Sequence, residues 1–261
     1  MGFLVALRFL TTISVPWVKE IRPRDRGASL AFFPLVGLIL GLILVIANIL
    51  LGTILPATVV NVGLIIIMIL LTGALHLDGL MDTCDGAFAS RAPEERLQIM
   101  KDVKVGAFGM AGIVSILLLK WVSLDAVELS FRLPVLILMP MIARWAMVYA
   151  VCAYPAAKNE GMGADFKKHA GWGGFVIATL LTAAVAMAIA LLIKINLVEM
   201  MLLTAVLLGA VWLLVSGLAL FLKSRLGGLT GDNYGAIAEV SEIAVMIFTF
   251  AYLNIRMLIG I

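Results

Sequence analysis

Residues 30–52 read LAFFPLVGLILGLILVIANILLG, a run without a single charged side chain. At about 1.5 Å per residue, a helix of that length covers the roughly 30 Å hydrocarbon core of a bilayer. Further apolar runs lie at about 57–75, 105–124, 133–154, 172–194, 197–222 and 238–260. The 261 residues are 63% hydrophobic and 13% charged, with a mean hydropathy of +1.15, whereas a soluble domain carries about 25% charged residues. The pattern predicts an all-α, polytopic integral membrane helix bundle with seven transmembrane helices. The first sixteen residues, with Arg8 and Pro16, are apolar but short, so they predict an N-terminal helix lying in the interface or packed against the bundle.

No stretch outside the spans is long enough to fold alone, so one membrane-embedded domain over 1–261 is expected. The formal charge of +3 is too small to imply nucleic acid as a partner. Cys84 and Cys152 sit in no metal-binding spacing, and His76 and His169 are far apart, which argues against a disulfide framework or a zinc site. No basic segment precedes the first apolar stretch, so no cleaved signal peptide is expected. Ala6 stands where a myristoylation signal needs Ser or Thr.

Lys and Arg sort the connections. One side collects Lys19, Arg22, Arg24, Arg26, Arg91, Arg96, Lys101, Lys104, Lys158, Lys167, Lys168, Lys223 and Arg225; the other holds Arg132, Lys194 and Arg256. The positive-inside rule assigns the first side to the cytoplasm and the chain to the cell's inner or plasma membrane. Two cations fall within spans. Lys120, near the outer end of its helix, is expected to snorkel to the interface. Arg144 lies deep, where an unpaired guanidinium costs several kcal/mol. It is read as a ligand for phosphate or carboxylate in a polar cavity, with a structural ion pair to an aspartate as the alternative.

The polar exception is His76-Leu77-Asp78-Gly79-Leu80-Met81-Asp82-Thr83-Cys84-Asp85-Gly86. At about 100° per residue, Asp78, Asp82 and Asp85 fall within roughly 60° of each other on a helix. Three carboxylates on one stripe repel unless a cation neutralises them. Oxygen ligands point to magnesium or calcium, and magnesium usually arrives with a phosphate. Gly79 and Gly86 allow either a substrate or a neighbouring helix to approach closely. His76 is placed to bond a phosphate or orient a carboxylate. Glu94, Glu95 and Arg96 read as a solvated helical face. Between the last two spans, Gly228, Thr230 and Gly231 belong to a Gly-rich segment suited to wrapping an oxyanion with backbone N–H groups. Asp232 beside them is a candidate metal ligand or general base. Glu239 and Glu242, three apart at the start of the last helix, suit its dipole.

The stretch from His76 to Gly109, the element Arg8-Phe9-Leu10-Thr11-Thr12, Phe33-Pro34-Leu35-Val36-Gly37, and the segment Gly227 to Ala236 with Glu239 together resemble the cobalamin synthase family, the adenosylcobinamide-GDP ribazoletransferases. The resemblance runs from about residue 7 to about residue 242. It implies an integral-membrane enzyme that transfers cobinamide phosphate from adenosylcobinamide-GDP to α-ribazole or α-ribazole 5′-phosphate, releasing GMP, with magnesium as cofactor. On that reading Asp78, Asp82, Asp85 and Asp102 hold metal, and Asp82, Asp85, Asp232 and Arg144 carry the chemistry. Substrate contacts fall to His76, Arg8, Lys101, Lys158, Gly228, Thr230 and Gly231. Arg8 and the Lys19–Arg26 cluster are equally suited to lipid headgroups of the bilayer. Oligomeric state, a homo-oligomer included, is left open.

Two other classes fall short on these residues. The CDP-alcohol phosphotransferase pattern begins correctly at Asp82-Thr83-Cys84-Asp85-Gly86, but Ser90 intrudes before Arg91 and the second half of the motif is missing. A cation-coupled transporter would show two related halves with broken midplane helices, and no internal repeat is present.

Overall fold

The computed structural model describes residues 1–16 and 21–259; Lys19 of the basic N-terminal cluster lies outside the described residues. Twelve α-helices are described: α1 (Gly2–Leu10), α2 (Pro23–Ser29), α3 (Phe33–Gly52), α4 (Ala57–Thr72), α5 (Leu75–Phe88), α6 (Pro93–Ile99), α7 (Ala107–Ala126), α8 (Leu129–Ala153), α9 (Met162–His169), α10 (Trp172–Ile193), α11 (Leu197–Leu226) and α12 (Gly231–Ile259). A short 3-10 turn, Leu30–Phe32, leads into α3.

Among the described residues six helices are long and apolar enough to cross a membrane, and α4 with α5 reaches that length only if the bent pair is counted as one broken span, for up to seven. α4 is short, yet it runs the depth of the bundle. Near its start Asn61 bonds to Arg132 and Asp125, and near its end the Leu71 carbonyl accepts the Thr12 N–H at 2.8 Å. It stops because Gly73 and Ala74 both turn left-handed, with φ of 61° and 57°. Glycine makes the first of these cheap. The chain then leaves at 89°, so α5 lies across the end of the bundle instead of extending the span.

The core is organised around α8, whose whole apolar window is buried inside the protein. A helix apolar on every side belongs at the centre. It packs on α3, α10, α11 and α12. The α3 contact is made by Gly37 and Gly41, one turn apart. A Cβ at Gly37 would lie 2.5 Å from the Pro140 carbonyl oxygen, and one at Gly41 would lie 2.6 Å from the Ile137 Cα. Small residues four apart allow helix backbones to meet where no hydrophobic effect drives them together. The outward faces of α3, α4, α10 and α11 expose Ile46, Ile66, Leu180, Leu192 and Leu213, as lipid-facing helices do.

The short helices gather at one end, the end at which the basic connections were expected to meet. α1 takes the packed option: Val5, Ala6 and Leu10 are buried, and the Phe9 ring stacks on Phe33 at 6.1 Å. α2 is tied to α9 by an Arg26–Asp165 ion pair. Arg96 departs from its expected solvated position. It is buried, its Nε donating to the Arg91 carbonyl at 2.7 Å and its Nη1 to the Gly86 carbonyl at 3.3 Å, so it satisfies the free carbonyls at the end of α5. At the opposite end Arg132 joins three elements, donating to Asn48, Asn61 and the Leu124 carbonyl.

Because the α3–α8 crossing tolerates no side chain, Gly37→Leu is expected to cost about 1–3 kcal/mol by overpacking. A lowered melting temperature in detergent checks this; unchanged melting would mean that the two helices do not touch there.

Candidate active site

α5 crosses the first turn of α12 with the two backbones in contact. A Cβ on Gly79 would lie 2.6 Å from the Asp232 carbonyl oxygen, and one on Gly235 would lie 3.1 Å from the His76 Cα. Helix packing is therefore the role that the fold gives Gly79. Gly86 likewise faces the Met100 side chain of the next segment. The crossing is fixed by fully buried Asn233, whose Nδ2 donates to Thr83 Oγ1 at 2.9 Å while its Oδ1 accepts the Thr230 N–H at 2.8 Å. Neither Asn233 nor Thr83 stood out in the sequence, although both lie inside the two polar elements.

This crossing brings Asp78, Asp82 and Asp232 into one neighbourhood. Asp78 is exposed and the other two are half-buried. Asp82's carboxyl is pushed up to about 7, by burial first and then by the charges of Asp78, Asp232 and Asp85. Asp78, Asp82 and Asp102 line a polar groove of about 200 Å³ together with Lys101 and Lys104. Lys158, in the loop after α8, senses Lys101 and Asp232; partial burial and then the Lys101 charge hold its pKa below the usual range. Asp78 also borders a second, apolar pocket shared with His76, Gly231 and Asp232.

Other expected site residues are engaged elsewhere. Asp85 accepts the Gly106 and Gly109 N–H groups at 2.8 Å each, so it caps the start of α7. The Gly-rich segment does not form an open anion nest. The Leu229 N–H donates to the Pro155 carbonyl, Ala157 returns a bond to Leu229, the Gly227 N–H goes to Lys223, and the Thr230 N–H to Asn233. Its glycine at 228 allows close approach to the Ala156–Ala157 peptide, where a Cβ would lie 2.6 Å away. Thr230 donates to Asp232 Oδ2 at 3.2 Å. Arg8 lines a separate groove with Thr11 and Thr12.

Arg144 is 0% exposed and lies away from the groove. One nitrogen pairs with Glu242, and Nη2 meets His76 Nδ1 at 3.2 Å. Lys120 does not snorkel. It is buried, with Nζ 2.7 Å from Glu239 and 2.6 Å from Glu242. Two acids and two bases thus neutralise one another inside the bundle, the ion-pair alternative for Arg144 with glutamate as partner. Glu242 was read from sequence as a dipole residue. The signal for its role was the pair of acids, Glu239 and Glu242, matching the two deep cations Lys120 and Arg144 in otherwise apolar spans.

Among the described residues no three of His, Cys, Asp or Glu converge tightly enough to hold a metal by themselves. Magnesium keeps several waters and usually takes one or two carboxylates plus substrate phosphates. Asp78, Asp82 and Asp232 fit such a partial donor set: hard oxygens, mutually repelling, beside an open groove.

A family model described as cobalamin-5-phosphate synthase matches residues 2–250. The chain belongs to this family. Cobalamin-5-phosphate synthase relatives named adenosylcobinamide-GDP ribazoletransferase occur in Geotalea daltonii, 38% identical over 92% of this chain and 93% of the relative, and in Desulforamulus reducens, 39% identical over 97% and 98%. A third, from Deinococcus radiodurans, is 38% identical over 94% of this chain and 83% of its own length. No solved structure matches the chain significantly. Membership of the cobalamin-5-phosphate synthase family makes this multi-pass protein a transferase of cobalamin biosynthesis.

Removing one member of the buried network leaves an uncompensated charge. Glu242→Gln is expected to destabilise the protein by about 3–5 kcal/mol, measured as lost thermal stability in detergent. Unchanged stability with lost activity would return Arg144 to a substrate-binding role.

Proposed function

We propose that this chain transfers cobinamide phosphate from adenosylcobinamide-GDP to a ribose hydroxyl of α-ribazole or its 5′-phosphate, releasing GMP, with magnesium held by Asp78, Asp82 and Asp232. The observation that carries this reading is the groove lined by Asp78 and Asp82 together with Lys101 and Lys104, with Asp232 near enough to act on the Asp82 carboxyl. In the reaction a bond forms between the acceptor oxygen and the cobinamide-side phosphorus as the bond from that phosphorus to the GMP oxygen breaks. The acceptor's hydroxyl proton is lost to water at the open groove as the new bond forms.

When bound, magnesium would neutralise diphosphate charge and stabilise the departing phosphate oxygen. The chain's own groups do the rest. Lys101, Lys104 and Lys158 set a positive rim that attracts the GDP portion. Asp102, exposed at the groove, is suited to a metal-bound water or a ribose hydroxyl. Asp85 acts from behind, fixing the end of α7 against α5 and so the direction in which Asp82 points. The excess of Lys and Arg at this end supports a cytoplasm-facing site.

Asp82→Asn is expected to lower turnover by about 10²–10³-fold, the scale of losing one electrostatic stabiliser, with membrane insertion and melting unchanged. GMP release by purified protein at saturating magnesium measures it; full activity would remove Asp82 from the site. A single cysteine replacing Lys101, in a chain without Cys84 and Cys152, is expected to react with an impermeant thiol reagent in inside-out vesicles but not in intact cells, and the reverse pattern would invert the topology.

A further inference from the structure

A row of exposed rings at the basic end of the bundle has no part in the transfer chemistry above. α7 and α11 both pack against α12, and Phe88, the last residue of α5, bridges them. Its ring lies 5.6 Å from that of Phe108 in the first turn of α7 and 5.9 Å from that of Phe221 near the end of α11. Phe88 is 52% exposed and Phe108 54%. Tyr and Trp carry a polar atom to a membrane surface, whereas a Phe ring has none and needs apolar cover. Beyond the last ring the chemistry changes. The Arg225 guanidinium sits over Phe221, 5.4 Å from the ring centre. Among the described residues no carboxylate pairs with it. In the other direction along α11, Gly217 stands one turn before Phe221, and a Cβ there would meet no atom within 4 Å. From hydrocarbon to water the surface of α11 therefore runs from an open notch to a ring to a cation, over a rise of about 12 Å.

We propose that this seam between α5, α7 and α11 docks an anionic phospholipid of the adjoining leaflet, its phosphate on Arg225 and an acyl chain over Phe221, Phe88 and Phe108. Charge and depth both select that occupant. A guanidinium over a ring keeps its N–H edge free, and that edge matches two phosphate oxygens at once. A zwitterionic lipid brings the same phosphate but adds an ammonium that an unpaired cation repels, so headgroups of net negative charge are preferred. The excess of Lys and Arg at this end draws the same lipids. The docked lipid touches Phe88 and Phe108 on either side of the junction that Asp85 caps, and so braces α5 where it lies across the bundle. The docking needs neither the metal nor the substrates of the transfer.

Native mass spectrometry of the full chain, released from nanodiscs of equal parts phosphatidylglycerol and phosphatidylcholine, reads the docking directly. The retained lipid is expected to be chiefly phosphatidylglycerol. Arg225→Gln is expected to lower its retention about fivefold, the contribution of one basic residue at an anionic membrane surface. Melting of that variant in pure phosphatidylcholine is expected to match the unmodified chain, because the side chain is exposed. Lys223→Gln removes an exposed cation two residues on from Phe221, on the opposite side of α11, and is expected to leave retention nearly unchanged. Replacing phosphatidylcholine by phosphatidylglycerol is expected to raise the melting temperature of the unmodified chain, and Arg225→Gln to lose that rise. Equal retention of the two lipids by the unmodified chain, or equal losses in Arg225→Gln and Lys223→Gln, would leave only a diffuse basic surface and overturn the site. An Arg225-dependent dimer free of lipid would give the seam to a second copy and overturn it as well.

Discussion

The backbone contact between α5 and α12 is the constraint from which the site follows. Two helices meet at main-chain distance only where both lack side chains, and Gly79 and Gly235 supply that condition from either side. Without it Asp232 would be held a side chain's thickness from α5, and the three carboxylates would not share a field. Asn233 and Thr83 lock the register, so the carboxylates approach each other despite their repulsion. Burial, with that repulsion added to it, raises the proton affinity of Asp82.

Below this layer lies a second electrostatic arrangement with the opposite logic. The carboxylates of α5 and of the first turn of α12 have too few cations and open to a groove. Lys120, Arg144, Glu239 and Glu242 are balanced and closed to solvent. In hydrocarbon a lone charge is untenable, whereas a neutral cluster with short bonds survives and ties α7, α8 and α12 together. His76 joins the two layers, bonded through Nδ1 to the closed cluster while the same residue lines the pocket beside the carboxylates.

The all-helical bundle was readable from residues such as 30–52 because apolar length alone specifies a span. The clustering of Asp78 and Asp82 was readable from helical periodicity. What periodicity did not give was the direction of α5. The left-handed pair Gly73–Ala74 turns the helix by 89°, and a stripe laid flat across the bundle offers its ends to different neighbours. Asp85 accordingly meets the start of α7, while Asp78 and Asp82 remain at the groove. The partners of Arg144 and Lys120 lie 98 and 122 residues away along the chain, and no local pattern names them. The Gly-rich loop has a partner that no local pattern names: its glycine at 228 permits a close approach, and the approaching group is the 155–157 segment of this same chain.

The end of the bundle sets two unlike spaces side by side, an apolar pocket and a polar groove. Most folds build these from separate loops. Here the bilayer-embedded bundle supplies the apolar one ready-made, because side chains such as Phe33, Met147 and Val151 already belong to spans. The polar one needs only a helix laid across the end, where water reaches. The boundary between them falls at Asp78, the residue that lines both spaces. Moving α5 one turn along α12 would break the Asn233–Thr83 bond, so the register of one glycine contact sets where the groove and the pocket adjoin.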